Sequence, residues 1–299
     1  WSRGLGDVYK RQAHALSKGG KVEQVIPFDV ESSPVSLAER ELTTWKKVWE
    51  HHQLGGMQLP TDHEEWDHLP PITADGLRKA ARLFPWTTAV GQSGIPPRAI
   101  GTLADDALGA LGALFGLCER CLQWPKDRIT IEMVRLPKPD GGCRLIGLVE
   151  TITRVWGRIR RPISHKWEKQ MSSPLVWGNR ARYTSSDSAF SLNLESEIAK
   201  YNGEESAVVL FDLYKCYETI APDALIREAR RHGFPLRLVW MCLLSYRHPR
   251  AISAYGSMST QFASQQGNVA GCTHATTLLL VLTLSALQQA GEVLSLIHI

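Results

Sequence analysis

Asp212 closes a five-residue apolar run, AVVLF at 207–211, rich in β-branched and aromatic side chains. Such a run fits a strand covered on both faces. A carboxylate at its end is costly to bury unless cations or hydrogen-bond donors receive it. Tyr217 and Glu218 follow, then Pro222 at the expected first turn of a helix that Gly233 closes. A strand-borne Asp with an aromatic just beyond it suits a metal-dependent phosphoryl-transfer site. The plainer reading, in which Asp212 only caps a turn, stands beside it.

Three other stretches carry chemistry. Lys138 and Arg144 flank the tip of an expected hairpin whose turn is PDGG at 139–142. Arg suits bidentate phosphate contact and Lys point-charge contact, although both types also serve as solvated hairpin charges. Residues 154–169 (RVWGRIRRPISHKWEK) are the most basic stretch. There Arg154, Arg158, Arg161 and Lys166 interleave with Trp156 and Trp167, which suits a phosphate backbone with stacked bases and equally a solvated helix face. Residues 265–272 (QQGNVAGC) form a glycine-bearing loop directly before an apolar helix, where a ligand can approach the backbone and the helix N-terminus. His63 and His68 sit among acids in DHEEWDH, which reads as a solvated loop more readily than as a metal site. Cys118 and Cys121 make one CxxC with no second pair at zinc spacing.

Several elements must position these groups. Helices are expected over 42–52, 72–83 with a Thr73 cap, and 103–122 with Leu103, Ala107, Leu111, Phe115, Cys118 and Leu122 on one face. A Gly/Pro-rich connector, WTTAVGQSGIPPR, fills 86–98. Ile129, Ile131 and Met133 alternate with polar residues into the hairpin, and 143–148 return. A polar amphipathic helix over 185–201 leads to the 207–211 strand. Helices at 222–232 and 236–246, a strand at 250–255 and a helix at 273–290 complete the chain.

A hydrophobic content of 43% with 21% charged residues describes a globular protein rather than a disordered one. The formal charge of +4 does not by itself identify a nucleic-acid partner. Six scattered cysteines fit free thiols in a reducing compartment, hence an intracellular protein of nucleus or cytoplasm. No apolar run is long enough to span a membrane. The two ends stand apart. Residues 7–12 (DVYKRQ) can be encoded by GAT GTG TAT AAG AGA CAG, whose reverse complement encodes LSLIHI, residues 294–299. This reads as one sequencing adaptor in opposite directions, so 1–12 and 294–299 are set aside as foreign and the natural protein is expected to continue on both sides.

Four pieces stand in order: WTTAVGQSGIPPR, LPKPDGGCRLIGL, FDLYKCYE and QGNVAGCTHATTLLL. That order resembles the reverse transcriptase domain of non-LTR retroelements over roughly residues 70–290. The resemblance implies an α+β polymerase right hand, with fingers over 71–205, a partial palm over 206–293 and a helical or linker extension over 13–70. It implies an RNA-directed DNA polymerase acting on an RNA template, a DNA primer and deoxynucleoside triphosphates, with two Mg2+ or Mn2+ ions. In that family pattern Asp212 binds the ions with the Leu213 carbonyl, Lys138 and Arg144 hold the triphosphate, and Tyr217 excludes a ribose 2′-hydroxyl. Gly271 with Cys272 matches the Gly-Cys pair under the templating base. Arg154, Arg158, Arg161 and Lys166 are expected nucleic-acid contacts from the composition of their own stretch, which is not one of the four pieces. Ala270 departs from the family, where many relatives have Gln, and the aromatic-x-Asp-Asp motif is missing from the sequence. The chain is therefore expected to be a fragment, inactive on its own. The alternatives are a non-catalytic nucleic-acid-binding remnant of such a polymerase and an unrelated helical interaction protein.

Overall fold

Ser33 and Pro34 start the first helix of the computed structural model, which describes residues 33–50, 69–125, 129–138, 143–171, 185–207 and 213–297. The Ser33 side chain accepts from the Ser36 N–H, and Pro34 occupies the first turn, where its missing donor costs nothing. Helix α1 therefore runs Pro34–Trp49, beginning earlier than the periodicity alone predicts, and buries Ala38, Leu42, Trp45 and Trp49. Helix α2 (Ala74–Arg82) begins at the expected Thr73 cap and buries Leu77, Ala80 and Ala81. A 3-10 turn, Pro97–Thr102, leads to α3 (Asp105–Cys121).

The inward face of α3 differs from the expected one. Leu108, Gly112, Phe115, Cys118 and Glu119 are buried, Leu111 is half-buried, and Leu103 and Ala107 are exposed. A close approach fixes this rotation: a Cβ on Gly112 would lie 2.6 Å from the Ile72 carbonyl oxygen. Only glycine lets the helix approach that backbone.

The sheet is small and mixed. Strands β1 (Ile131–Pro137) and β2 (Cys143–Leu148) form the expected antiparallel hairpin, with Glu132 opposite Leu148 and Leu136 opposite Arg144. Strand β3 (Arg250–Ala254) joins β1 in parallel, Ile131 opposite Arg250, and β4 (Ser257–Met258) pairs antiparallel with β3. The β3–β4 loop is Tyr255-Gly256, both with positive φ (48° and 82°), the backbone of a tight hairpin turn. The order β2-β1-β3-β4 thus draws strands from both sides of residue 206, where fingers and palm were expected to divide.

Helices complete the core. Glu150 caps α4 (Thr151–Gln170), which buries Val155, Trp156, Arg160, Trp167 and Glu168. Helix α5 (Ser185–Asn202) exposes Phe190 and Tyr201. Helices α6 (Pro222–Arg231), α7 (Leu236–Tyr246) and α8 (Ala275–Ile297) follow, and α6 packs on both α7 and α8. An edge-to-face chain of rings, Phe115, Trp124, Trp156 and His274, links α3, α4 and the start of α8 at centroid spacings of 6.2, 5.3 and 5.9 Å. The expected strand at 207–211 lies beyond the described residues from 208 onward, as do the PDGG turn and the His63–His68 stretch.

Candidate functional site

The loop at 264–272 is the hub. Gly267 has φ +85°, open to glycine at little cost, and its N–H donates to the Ile220 carbonyl at 2.8 Å. The Asn268 N–H donates to the Tyr217 carbonyl at 2.7 Å. A Cβ on Gly267 would sit 2.5 Å from the Glu218 carbonyl oxygen. The loop is therefore seated directly on the turn that follows Asp212. Its other side meets the hairpin. The Gly147 N–H of β2 donates to the Ala270 carbonyl at 2.8 Å, and a Cβ on Gly147 would fall 2.1 Å from Val269 Cγ1. Gly271 has φ +104° and faces the Gly147 carbonyl, 3.0 Å from where a Cβ would stand.

Beneath the loop lies Arg250, fully buried at the start of β3. Its Nη2 donates to the Gly267 carbonyl at 3.1 Å and reaches the Gln266 carbonyl at 3.4 Å, and its guanidinium stacks 5.0 Å from the Trp49 ring centroid. Burial brings its pKa down to about 10, opposed by the nearby Glu218 carboxylate. Burial in turn pushes the Glu218 carboxyl above the usual carboxylate range. Glu218 is thus buried beneath the turn with the Arg250 charge nearby. Both polar atoms of the Asn268 side chain are buried and find no hydrogen-bond partner among the described residues.

The connector joins the same assembly through α4 and β1. The Ser93 N–H donates to Glu150 Oε1 at 2.7 Å, the Thr130 N–H to Gln92 Oε1 at 3.1 Å, and Thr151 Oγ1 to the Ile95 carbonyl at 2.5 Å. Gly91 approaches Glu150 closely enough that a Cβ would lie 3.0 Å from its carboxylate. Backbone hydrogen bonds therefore join the loop to the turn after Asp212 and to the hairpin, and side-chain hydrogen bonds tie the connector to residues 130, 150 and 151, which flank the hairpin.

The predicted site residues differ in their surroundings. Asp212 lies outside the described residues; Leu213, beside it, is exposed. Lys138 and Arg144 are exposed on the two hairpin strands near the tip, and Lys166 is exposed on α4. Tyr217 is half-buried, and burial pushes its phenol up from the usual value.

The arginines of α4 are turned to protein partners. Arg161 Nη1 and Nη2 donate to Glu168 at 2.7 and 3.0 Å. Arg154 Nη1 donates to the Ala89 carbonyl at 2.6 Å, and burial pulls its guanidinium below the usual value. Arg158 stacks 4.6 Å from the Phe84 ring centroid. Arg160, which the sequence did not single out, is buried in a bidentate pair with Glu119, both contacts 2.6 Å. The stretch is thus a packed helix with one exposed lysine among its predicted contacts, rather than a continuous basic stripe.

The Gly-Cys pair has a chemical feature of its own. Cys272 sits before α8 with its thiol brought down to about 7 by a hydrogen bond with the Cys242 thiol and by the N–H groups of His274 and Thr273. The Cys242 thiol, fully buried on α7, moves up instead. His274 is fully buried, with Nδ1 3.2 Å from Ser164 Oγ, and burial lowers its pKa to about 4.

Among the described residues, no group of three or more His, Cys, Asp or Glu could hold a metal ion, and no helix is long and apolar enough to cross a membrane. The described side chains do not by themselves make an ion site. No family model matches the chain, and no curated protein matches it.

Proposed function

We propose that the chain is part of an RNA-directed DNA polymerase of the non-LTR retroelement type, contributing fingers and the first portion of a palm. One observation carries this reading. The loop ending in Gly271–Cys272 is bonded on one side to the turn after Asp212 and on the other to the hairpin bearing Arg144. Those are the pieces that a template base, an incoming nucleotide and a catalytic carboxylate require side by side.

In this reading Lys138 and Arg144 neutralise the triphosphate from the hairpin, Tyr217 meets the sugar edge, and Gly271 lets the template base approach the backbone. Asp212 is the catalytic carboxylate, with the Leu213 backbone carbonyl as its companion ligand. Mg2+ dependence goes with the reading and rests on Asp212 together with carboxylates from the aromatic-x-Asp-Asp motif that these 299 residues lack. Exposed Lys138, Arg144 and Lys166 also support a second reading, a nucleic-acid-binding protein without catalysis.

Primer extension on an RNA template distinguishes the two. A chain extended by the family's downstream palm segment should synthesise DNA with Mg2+, and Asp212→Asn in it should abolish synthesis while retaining RNA binding. RNA binding without synthesis by the extended chain would favour the second reading. Synthesis that survives Asp212→Asn would remove Asp212 from the site.

A further inference from the structure

Helix α3 is apolar on its outward side as well as its inward one. Leu103, just before the helix, and Ala107, Ala110, Leu114, Leu117 and Cys121 along it are all exposed. Leu103, Leu114 and Leu117 are 39%, 40% and 48% exposed. From Ala107 to Cys121 the spacing, alternately three and four residues, is that of a helix–helix seam, and Leu103 precedes it on extended backbone. Charge lies only near the ends, at Asp105 and Asp106 in the first turn and Arg120 in the last. A helix apolar all round is ordinarily covered.

The order of sizes in the seam identifies the occupant. Read forward it is large, small, small, large, large, small. Reversed about residue 112, the helical part sets large against small: Ala107 meets Leu117, Ala110 meets Leu114, and Leu103, just ahead of the helix, comes to the level of Cys121. Parallel pairing in register would set leucine on leucine and leave alanine facing alanine. Reversal also brings the exposed Asp106 near the exposed Arg120 of the second helix, twice per pair.

We infer that α3 is a self-association surface, pairing antiparallel with α3 of a second copy of this chain about a two-fold axis near residue 112. A two-fold interface uses the same patch on both copies, which the reversed order satisfies. The helical seam from 107 to 121 is about 21 Å long. A single helix pair covers less than the standard interface of about 800 Å² per partner, so the dimer is a weak one, with Kd on the order of 10 μM. This inference is independent of the polymerase reading.

Sedimentation velocity of the 299-residue chain from about 1 to 500 μM under reducing conditions should show a concentration-dependent dimer. Leu114→Glu places a charge in an exposed position of the seam and should weaken association at least tenfold without unfolding the protein. Ala110→Leu, which sets large against large, should weaken it too. Asp106→Arg and Arg120→Asp should each weaken self-association, and mixing the two variants should restore it as a heterodimer.

Leu103→Cys offers a geometric check. With oxidised glutathione as the oxidant, its new thiol and Cys121 of the second copy should lose two protons and two electrons to form a disulfide, releasing two reduced glutathiones. The wild type should form no such bond, because its two Cys121 thiols stand at opposite ends of the seam. Adding Cys121→Ser to Leu103→Cys should abolish the cross-link. A monomer throughout the concentration range, as expected if another segment of the same chain covers α3, would overturn the inference. So would a dimer indifferent to Leu114→Glu, or a cross-link that persists without Cys121.

Discussion

Gly267→Ala measures how tightly the central loop is seated. Two costs combine at this position. An alanine at φ +85° carries the left-handed penalty of about 1–2 kcal/mol. Its Cβ would also lie 2.5 Å from the Glu218 carbonyl oxygen and 2.8 Å from Glu218 C and Cα, all backbone atoms that cannot rotate away. Relief requires the loop and the turn to separate by about 1 Å, since carbon contacts relax near 3.5 Å. That movement loosens the Gly267–Ile220 and Asn268–Tyr217 hydrogen bonds, worth about 1 kcal/mol each. The expected loss is about 3–4 kcal/mol. Gly233→Ala is the control: its φ is +61°, with nothing within 4 Å of a built Cβ, so it should lose only about 1 kcal/mol. Urea unfolding of both variants should separate them by about 2–3 kcal/mol at equal m-value. Equal losses would refute the argument that the loop is clamped on the turn after Asp212.

Arg160→Gln leaves Glu119 buried without its bidentate partner and should cost about 3–5 kcal/mol in urea unfolding, whereas Lys79→Ala, which breaks the exposed Asp75–Lys79 pair, should cost under about 0.5 kcal/mol. Because the folded pKa of His274 is depressed to about 4, the unfolded chain binds more protons below its own value near 6.5; the stability held above 6.5 should be lost as pH falls towards 4, by about 3 kcal/mol. His248 is shifted in the same direction and Glu218 in the opposite one, so the slope assigned to His274 is the difference between the wild type and His274→Gln. Lys166→Gln should lower the salt slope of RNA binding by about one unit, and Arg161→Gln, which strips Glu168 of its ion pair, should lower stability instead; the reverse pattern would return Arg161 to the nucleic-acid surface. In an extended, active polymerase, Tyr217→Ala should raise ribonucleotide incorporation relative to deoxyribonucleotide, and an unchanged ratio would remove Tyr217 from sugar selection.

Local chemistry was legible in the sequence and distant pairing was not. The β1–β2 hairpin announces itself through alternating Ile129, Ile131 and Met133, and α2 through Thr73, because turns, caps and periodicity act within a few residues. The parallel pairing of residues 131–134 with 250–253 leaves no local mark, since its partners lie over a hundred residues apart. The rotation of α3 was misjudged for a different reason. Its residues are apolar on every side, so the pattern offers two candidate inward faces, and Gly112 against Ile72 decides between them. The glycine loop gave only a weak signal, yet Gly267 and Gly271 are the positions where positive φ and close approach both require glycine. Arg250 was missed because a single arginine opening a strand looks like a solvated end; only Trp49, from the first helix, reveals that it is buried.

The basic stretch shows why composition locates charge without locating its partner. Residues 154–169 have the sequence of a nucleic-acid contact, but Glu119 and Glu168 answer Arg160 and Arg161, and Thr277 Oγ1 donates to the same Glu168 carboxylate. These contacts bind α4 to α3 on one side and to α8 on the other. Buried ion pairs add little net stability compared with apolar contacts, but their directionality penalises alternative registers through charges left unpaired. Arg250 acts likewise between β3 and the central loop, donating to two carbonyls whose positions fix Gly267. Guanidinium groups therefore hold three junctions around the candidate site, joining segments that are distant in sequence. The arginines that looked most like ligand contacts orient the framework around the loop, and Lys138 and Arg144 of the hairpin, with Lys166, are the exposed cations of the predicted set.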